Sequence, residues 1–113
     1  MGKKVLIVDT AVYNRMMLRG ILEMHGYSVL EASTGERALE MYRGSRPDLV
    51  AVEVATADAR DFKTLDYTAT ILMCGGHGQR RQVAQGLTDG ANGIIVRPYS
   101  ERQVIRAVRR AIG

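Results

Sequence analysis

Short aliphatic runs alternate with amphipathic stretches five times along the chain, and this alternation constrains the fold more than any other feature. The runs occupy residues 4–8, 27–32, 49–54, 70–74 and 93–96. Continuous aliphatic runs of this length are typical of strands that are covered on both faces. Strands that alternate with helical crossovers form a parallel sheet with helices on both faces. The sequence therefore predicts one doubly wound α/β domain over residues 1–113.

The helices are predicted from apolar spacing and from capping residues. The first buries Met17, Leu18, Ile21 and Leu22 and ends at Gly26; the second is capped by Ser33 or Thr34, buries Ala38, Leu39 and Tyr42 and stops at Gly44. The third is short or irregular, around residues 61–65. The fourth, 79–88, buries Val83, Ala84 and Leu87, and the last begins with a Ser100–Gln103 capping box and buries Val104, Ile105, Val108, Ala111 and Ile112. Met16, Met17, Met24 and Met41 are expected in or near the core, with a partner surface as the secondary interpretation.

Polar or special residues follow four of the predicted strands at the point where each strand ends. They are Asp9 and Thr10, Glu53, Gly75, and Arg97. Ligands and chemistry gather at the carboxyl ends of the strands in a doubly wound sheet, so these residues are expected to share one pocket. A carboxylate at the end of a buried strand is costly unless it is paired or functional, so Glu53 needs an explanation.

The positive charge of the chain is concentrated in its last third. Residues 1–79 hold nine basic and ten acidic groups, a net charge of −1, whereas residues 80–113 hold seven basic and two acidic groups, a net charge of +5. Such asymmetry favours an acidic partner surface and, more weakly, nucleic acid. A solvated arginine-rich helix face is the simplest alternative.

Several classes of protein are excluded or disfavoured. No run approaches the roughly 18 apolar residues of a membrane span, and the N-terminus lacks the features of a signal peptide. The single cysteine, Cys74, excludes an intrachain disulfide, which suits the cytoplasm. The only histidines are His25 and His77, and no nucleophile–base pair is predicted in the pocket, so we do not expect an enzyme.

Five segments together resemble the receiver domain of bacterial response regulators, with the single-domain chemotaxis regulators nearest. They are "KVLIVD", "RMMLRGILEMHGY", "ASTGERALEMY", "PDLV" and "GANGIIVRPYS". The resemblance implies a flavodoxin-like (βα)5 fold with strand order 2-1-3-4-5. It also implies phosphoryl transfer, with Mg²⁺, from a phosphohistidine kinase to an aspartate at the end of the third strand. The implied pocket has two acids after strand one, the acceptor, a Thr or Ser after strand four, and a Lys before a proline.

Four of these five positions differ in this sequence. Only the first acid is kept, as Asp9; the others are Thr10, Glu53, Gly75 and Arg97. The glutamate carboxylate lies about 1.5 Å farther out than that of an aspartate, and in-line transfer depends on precise placement. Thr10 removes a charge from the metal site, so Mg²⁺ is expected to bind weakly at Asp9 and Glu53 at most, and no cofactor is predicted. The Glu53 carboxylate is predicted to pair with Arg97 or with backbone N–H groups. This pairing would serve either signalling or the stability of the fold alone.

The resulting hypothesis is a degenerate receiver that binds signalling proteins without being phosphorylated at Glu53. Its expected partner surface is the face formed by the fourth helix, fifth strand and fifth helix, with the residues Ile94, Arg102, Arg106, Arg109 and Arg110. A monomer or weak dimer is expected, with no membrane binding and no direct nucleic-acid binding. Two alternatives remain: a working receiver that uses another acceptor, Asp9 or Asp58, or a sensor of a small anion in the loop that contains Gly75, Gly76, Gly78 and Arg80.

Overall fold

The computed structural model describes residues 2–113 and shows a five-stranded parallel sheet flanked by helices. The strands are β1 (Lys4–Val8), β2 (Ser28–Ala32), β3 (Leu49–Glu53), β4 (Ile71–Gly75) and β5 (Gly93–Val96). The helices are α1 (Val12–Met24), α2 (Gly35–Ser45), α3 (Ala59–Leu65), α4 (Arg80–Thr88) and α5 (Glu101–Ile112), with a 3₁₀ turn at His77–Gln79. The strands hydrogen-bond in the order β2-β1-β3-β4-β5. The flavodoxin-like fold and its strand order are therefore confirmed.

Alternate side chains of β1, β3 and β4 enter one of two cores, because successive residues of a strand point to opposite faces. Val5 and Ile7 of β1 pack in the core that also contains buried residues of α1 and α5. Leu6 and Val8 pack in the other core, with residues of α2, α3 and α4. Burial on both faces explains why the strands read as continuous aliphatic runs, and each fully buried aliphatic side chain contributes about 1.5–3 kcal/mol.

The first two helices begin and end at identifiable residues. α1 is closed as predicted by Gly26, whose φ of 87° lies in the left-handed region that glycine adopts without strain. Thr34 caps α2, since its Oγ1 accepts a hydrogen bond from the Arg37 N–H at 3.1 Å. The prediction that Gly44 stops α2 is wrong: the helix continues to Ser45 and ends where Arg46 adopts a φ of 48°.

The side of helix α4 that faces the sheet is not the predicted one. Val83 and Gly86 face the sheet, whereas Ala84 and Leu87, which were predicted to be buried, are exposed. The cause is the close approach of Gly86 to β4, because a Cβ at this position would collide with the Met73 side chain. Methionines of α1 also depart from the expectation, since Met16, Met17 and Met24 are exposed.

The remaining helices agree with the prediction in extent but not in every contact. α3 is a short helix, and its Phe62 is fully buried. Ser100 Oγ accepts from the Gln103 N–H at 3.1 Å, as expected of a cap. The second half of the predicted capping box is wrong, because the Gln103 amide bonds the backbone N–H and C=O of Val96 at 2.7 and 2.9 Å instead. This contact fixes the start of α5 against the end of β5. Among the described residues, no helix has both the length and the apolar character that a membrane crossing requires.

Candidate functional site

Asp9 lies directly after β1, and its carboxylate is buried with only 4% of the residue exposed. The Ala11 N–H donates to Oδ1 at 2.9 Å, and the Asn14 side-chain amide donates to Oδ2 at 3.1 Å. Both donors belong to the beginning of α1, where unpaired N–H groups and the positive end of the helix dipole favour a carboxylate. The structure thus gives each Asp9 oxygen a partner from the chain itself.

Glu53 is the last residue of β3, and 6% of it is exposed. The Thr56 hydroxyl donates to its Oε1 at 2.8 Å, from a turn in which the Thr56 N–H bonds the Glu53 C=O at 2.9 Å. The hydroxyl of Thr56 lies 3.2 Å from that of Thr10, whose own N–H donates to Thr56 Oγ1 at 3.2 Å. A connected set of hydroxyl groups therefore runs from the end of β1 to the glutamate at the end of β3.

Arg97 follows β5 and holds its guanidinium over the same edge of the sheet. Its Nη1 lies 3.9 Å from Glu53 Oε2, a charge contact longer than a hydrogen bond. That Nη1 is buried and has no hydrogen-bond partner among residues 2–113. Nη2 donates to Gln79 Oε1 at 3.0 Å, and the same oxygen accepts from the Gly76 N–H at 2.9 Å. Glu53 thus has Thr56 as its hydrogen-bond donor and Arg97 as its charge partner.

Gly75 ends β4 and has no space for a side chain. A Cβ built there would lie 2.6 Å from Val83 Cγ2 and 3.3 Å from Gln79 Oε1. The position at which the resemblance implies a hydroxyl is therefore filled by the first turns of α4. The conformation of Gly75 does not require glycine, since its φ is outside the left-handed region; the requirement is steric.

These residues do not fit a magnesium ion. Mg²⁺ needs several hard, preferably anionic oxygens in near-octahedral geometry. Thr10 supplies a neutral hydroxyl, both Asp9 oxygens accept hydrogen bonds from the chain, and Glu53 Oε1 accepts from Thr56. Across residues 2–113, no group of three or more acidic, histidine or cysteine side chains converges closely enough to hold a metal.

Cys74, which is buried and paired with Glu53 in the sheet, and the partly buried Tyr99 lie next to the site. Burial raises the pKa of the Cys74 thiol to about 12, and the Tyr99 hydroxyl contributes a hydrogen bond that opposes this rise. Burial also raises the pKa of Tyr99, and the neighbouring Cys74 adds to the rise. Both groups stay neutral near pH 7, so neither supplies a nucleophile or an acid to the site.

Two N–H groups of the loop after β4 are used within the loop itself. The N–H of Gly76 bonds the Gln79 side chain, and the N–H of Gln79 bonds the Gly76 C=O at 2.9 Å. The exposed Arg80 side chain lies 3.4 Å from the His77 ring. The predicted anion loop at Gly75, Gly76, Gly78 and Arg80 therefore has fewer free N–H groups than its glycine content suggests.

The expected partner surface is exposed, and it contains two neighbouring grooves that share Arg102 and Arg106. Ile94 is 41% exposed and lines a groove of about 340 Å³ together with Arg102, Arg106 and Arg110 of α5. Arg109 lies instead in a second groove, beside His25 at the end of α1. Leu87 and Ala84 of α4 continue the apolar floor on the other side of Ile94. The face is therefore an apolar strip bordered by arginines.

Three site residues were missed by the sequence analysis: Asn14, Thr56 and Gln79. Thr56 and Gln79 each lie three residues after a residue that was singled out, Glu53 and Gly76. That spacing is typical of a side chain that closes a turn, and it could have identified both.

Comparison with known proteins places the chain among signalling domains. Residues 5–109 match the family model described as the response regulator receiver domain. The chain is 34% identical to the chemotaxis protein CheY of Thermotoga maritima, covering 97% of this chain and 98% of that protein. It is 33% identical to the CheY of Bacillus subtilis, covering 99% of both. NtrX of Brucella abortus has the same fold, with a TM-score of 0.92 at 23% identity; 99% of this chain aligns, and it spans 27% of the NtrX chain.

Proposed function

The chain belongs to the response regulator receiver domain family, and from this premise we propose that it binds signalling proteins without accepting a phosphoryl group at Glu53. One observation carries the proposal: the Glu53 carboxylate is buried and accepts a hydrogen bond from Thr56 at 2.8 Å, within a hydroxyl network that also includes Thr10. An acceptor must present a free carboxylate oxygen in line with the phosphoryl donor. In this chain, Oε1 is engaged and Arg97 lies beside Oε2.

The neighbours of Glu53 support the same conclusion. The charge of a transferring phosphoryl group needs cations and donors placed around it. Thr10 adds no charge to the pocket, and Gly75 has no hydroxyl and no space for one. We therefore propose that the domain is not an enzyme, holds no cofactor and acts in the cytoplasm, where its two-component partners would be found.

The proposed partner surface consists of Ala84 and Leu87 of α4, Ile94 of β5, and Arg102 and Arg106 of α5. An apolar strip bordered by arginines is complementary to an amphipathic segment with acidic side chains at its edges. The positive charge of residues 80–113 would also increase the rate of encounter with such a segment at low salt. A histidine kinase or an output domain with an acidic segment would fit this description.

Phosphorylation is tested by incubation with acetyl phosphate and Mg²⁺ followed by intact mass spectrometry, with the Thermotoga maritima CheY as the positive control. We expect the control to gain one phosphoryl group and this chain to gain none. Glu53→Asp is expected to stay unmodified too, because Thr10 and Gly75 are unchanged. A phosphoryl group that is added to the chain and lost in Glu53→Gln would refute the proposal. One that is lost in Asp9→Asn or Asp58→Asn would support the alternative acceptors.

The partner surface is tested by affinity capture from the source organism. A protein retained by the wild-type domain should be lost with Arg102→Glu/Arg106→Glu. It should be kept with Arg37→Glu/Arg43→Glu, which makes the same change in charge at two exposed arginines of α2. If the negative charge of Glu53 sets the binding state of the domain, Glu53→Gln should change the affinity for that protein. Equal loss in this α2 control would show that overall charge, and not this face, governs the binding.

A further inference from the structure

The outer edge of β5 carries backbone groups that no other strand uses. β5 lies at the end of the sheet and pairs only with β4. The backbone groups of successive residues in a strand point to alternate sides, and the Arg97 N–H bonds the Gly75 C=O of β4 at 2.7 Å. Since Val96 and Ile94 come one and three residues before Arg97, their N–H and C=O groups point away from β4. An open edge of this kind is a template for an added strand.

The Gln103 side chain already acts as a neighbouring strand at one of these two residues. Its Oε1 accepts from the Val96 N–H at 2.7 Å, and its Nε2 donates to the Val96 C=O at 2.9 Å. These are the two hydrogen bonds that an added strand would make. Ile94 has no such partner on this edge among residues 2–113, and 41% of it is exposed. The free edge is therefore centred on Ile94 and ends where Gln103 begins.

Two grooves lie on opposite sides of this edge. Ile95 packs in the core on the α5 side of the sheet, so Ile94 and Val96 point to the α4 side. On that side, Ile94 lines a mainly apolar groove of about 330 Å³ together with Ala84 and Leu87; we call it the α4 groove. The groove of about 340 Å³ on the α5 side contains three arginines, and we call it the arginine groove. The edge is thus bordered by an apolar surface on one side and a positive surface on the other.

The arginines of the arginine groove have no acidic partner. They are Arg102, Arg106 and Arg110, which are exposed and follow one another along one side of α5. None of them forms an ion pair with a carboxylate among residues 2–113. No acidic residue lines the groove either. Unpaired arginines beside an open edge favour acidic side chains on the molecule that occupies it.

The alternation of side chains along a strand turns the two grooves into a sequence pattern. Residues directly opposite each other in paired strands point to the same face. A residue level with Ile94 would therefore enter the apolar α4 groove, and the residues before and after it would enter the arginine groove. An acidic–apolar–acidic segment satisfies both grooves. A helix uses its own N–H and C=O groups internally, so it would leave those of Ile94 unpaired.

We propose that this surface binds an extended acidic–apolar–acidic segment of the signalling partner, which adds to the sheet as a strand beside β5. The inference rests on the proposed function, since it names the form of the partner that the same face would bind. Hydrogen bonds to the Ile94 backbone would hold the segment, and the two grooves would select its side chains. Gln103 would end the added strand at Val96, so the pairing would cover only a few residues.

The side-chain pattern is tested by fluorescence anisotropy with the labelled peptide Glu-Val-Glu-Leu-Glu-Val-Glu. A peptide of equal composition, Glu-Glu-Val-Leu-Val-Glu-Glu, should bind at least about tenfold more weakly, because its apolar residues do not alternate with acids. Leu87→Glu in the α4 groove and Arg106→Glu in the arginine groove should each weaken binding of the first peptide, with circular dichroism to check the fold. Arg43→Glu on α2 is the control for charge. Equal weakening in Arg43→Glu would overturn the inference, because overall charge would then explain the binding.

Backbone pairing is tested by N-methylation of the first peptide, either on the central Leu or on the Glu that follows it. N–H groups of neighbouring residues point to opposite sides of a strand. One methyl group should therefore weaken binding at least about tenfold, and the other should leave it nearly unchanged. A harmful methyl on Leu would show an antiparallel strand, and one on Glu a parallel strand. Amide exchange followed by NMR should slow for Ile94 in the complex, whereas Val96, already bonded to Gln103, should change little.

The inference is overturned if neither peptide binds, if the two peptides bind equally, or if the two N-methyl peptides behave alike. It is also overturned if the Ile94 amide exchanges as fast in the complex as in the free domain. These results would leave the proposed function standing, because a helical partner could still use the same face. A phosphoryl group on Glu53 would refute the proposed function and would leave the peptide results as they are.

Discussion

A side chain at position 75 should destabilise the domain by an amount that the structure allows to be estimated. A Cβ there would lie 2.6 Å from Val83 Cγ2, a side chain that is β-branched and 2% exposed and so has little freedom to move. Overpacking of this kind costs about 1–3 kcal/mol. At roughly 4 °C per kcal/mol for a domain of this size, Gly75→Ala should lower the Tm by about 4–12 °C.

The assay is urea denaturation of a double-mutant cycle with Val83→Ala. Val83→Ala alone should cost about 1–3 kcal/mol through lost burial. If the collision is the cause, the double variant should be more stable than the sum of the two changes predicts, by about 1–2 kcal/mol. Gly78→Ala is the matched control, because a Cβ at Gly78 meets nothing within 4 Å. Additivity in the cycle, or an equal loss in Gly78→Ala, would refute the steric explanation.

Three further predictions follow from other contacts. Gly86→Ala should lower the free energy of unfolding in urea by about 1–3 kcal/mol, because the added Cβ collides with Met73. Helix propensity alone would raise it by about 1 kcal/mol, so the sign of the measured change shows which effect dominates. Cys74, with its pKa raised to about 12 by burial, should react with iodoacetamide at least about 100-fold more slowly in the folded domain than in urea; equal rates would contradict the burial. Hydrogen bonds from Thr68 and the Tyr42 hydroxyl lower the pKa of Asp66 from 3.8 to about 2. Asp66 therefore contributes stability that is complete above about pH 4 and is lost as the pH falls through about 2. The Tm of the wild type should fall more steeply over this window than that of Asp66→Asn.

The topology of the fold could be predicted from the sequence because each buried strand appears there as a continuous aliphatic run. The same pattern placed Asp9, Glu53, Gly75 and Arg97 at one edge, since parallel strands all end on the same side. The contacts made by Thr56 and Gln79 could not be predicted in this way. They depend on the path of two loops, and loop conformation leaves no periodic pattern.

The orientation of individual helices was less predictable, for two physical reasons. Gly86 faces the sheet but has no side chain, so hydropathy does not indicate that this position is buried. The apolar spacing instead predicts that Leu87 faces inward. In α1 the apolar residues surround most of the helix, so spacing alone could not distinguish the side covered by the sheet from the side that carries Met16 and Met24.

The single side-chain oxygen of Gln79 joins two parts of the molecule that are far apart in sequence. It accepts from the Arg97 guanidinium and from the Gly76 amide at once, immediately before the first turn of α4. A rotation of the guanidinium away from Gln79 would leave the Gly76 amide as the only donor to this oxygen. Two hydrogen bonds, from Arg97 to Gln79 and from Gly76 to Gln79, thus connect the start of α4 to the arginine that faces Glu53. This connection involves no hydroxyl group at position 75.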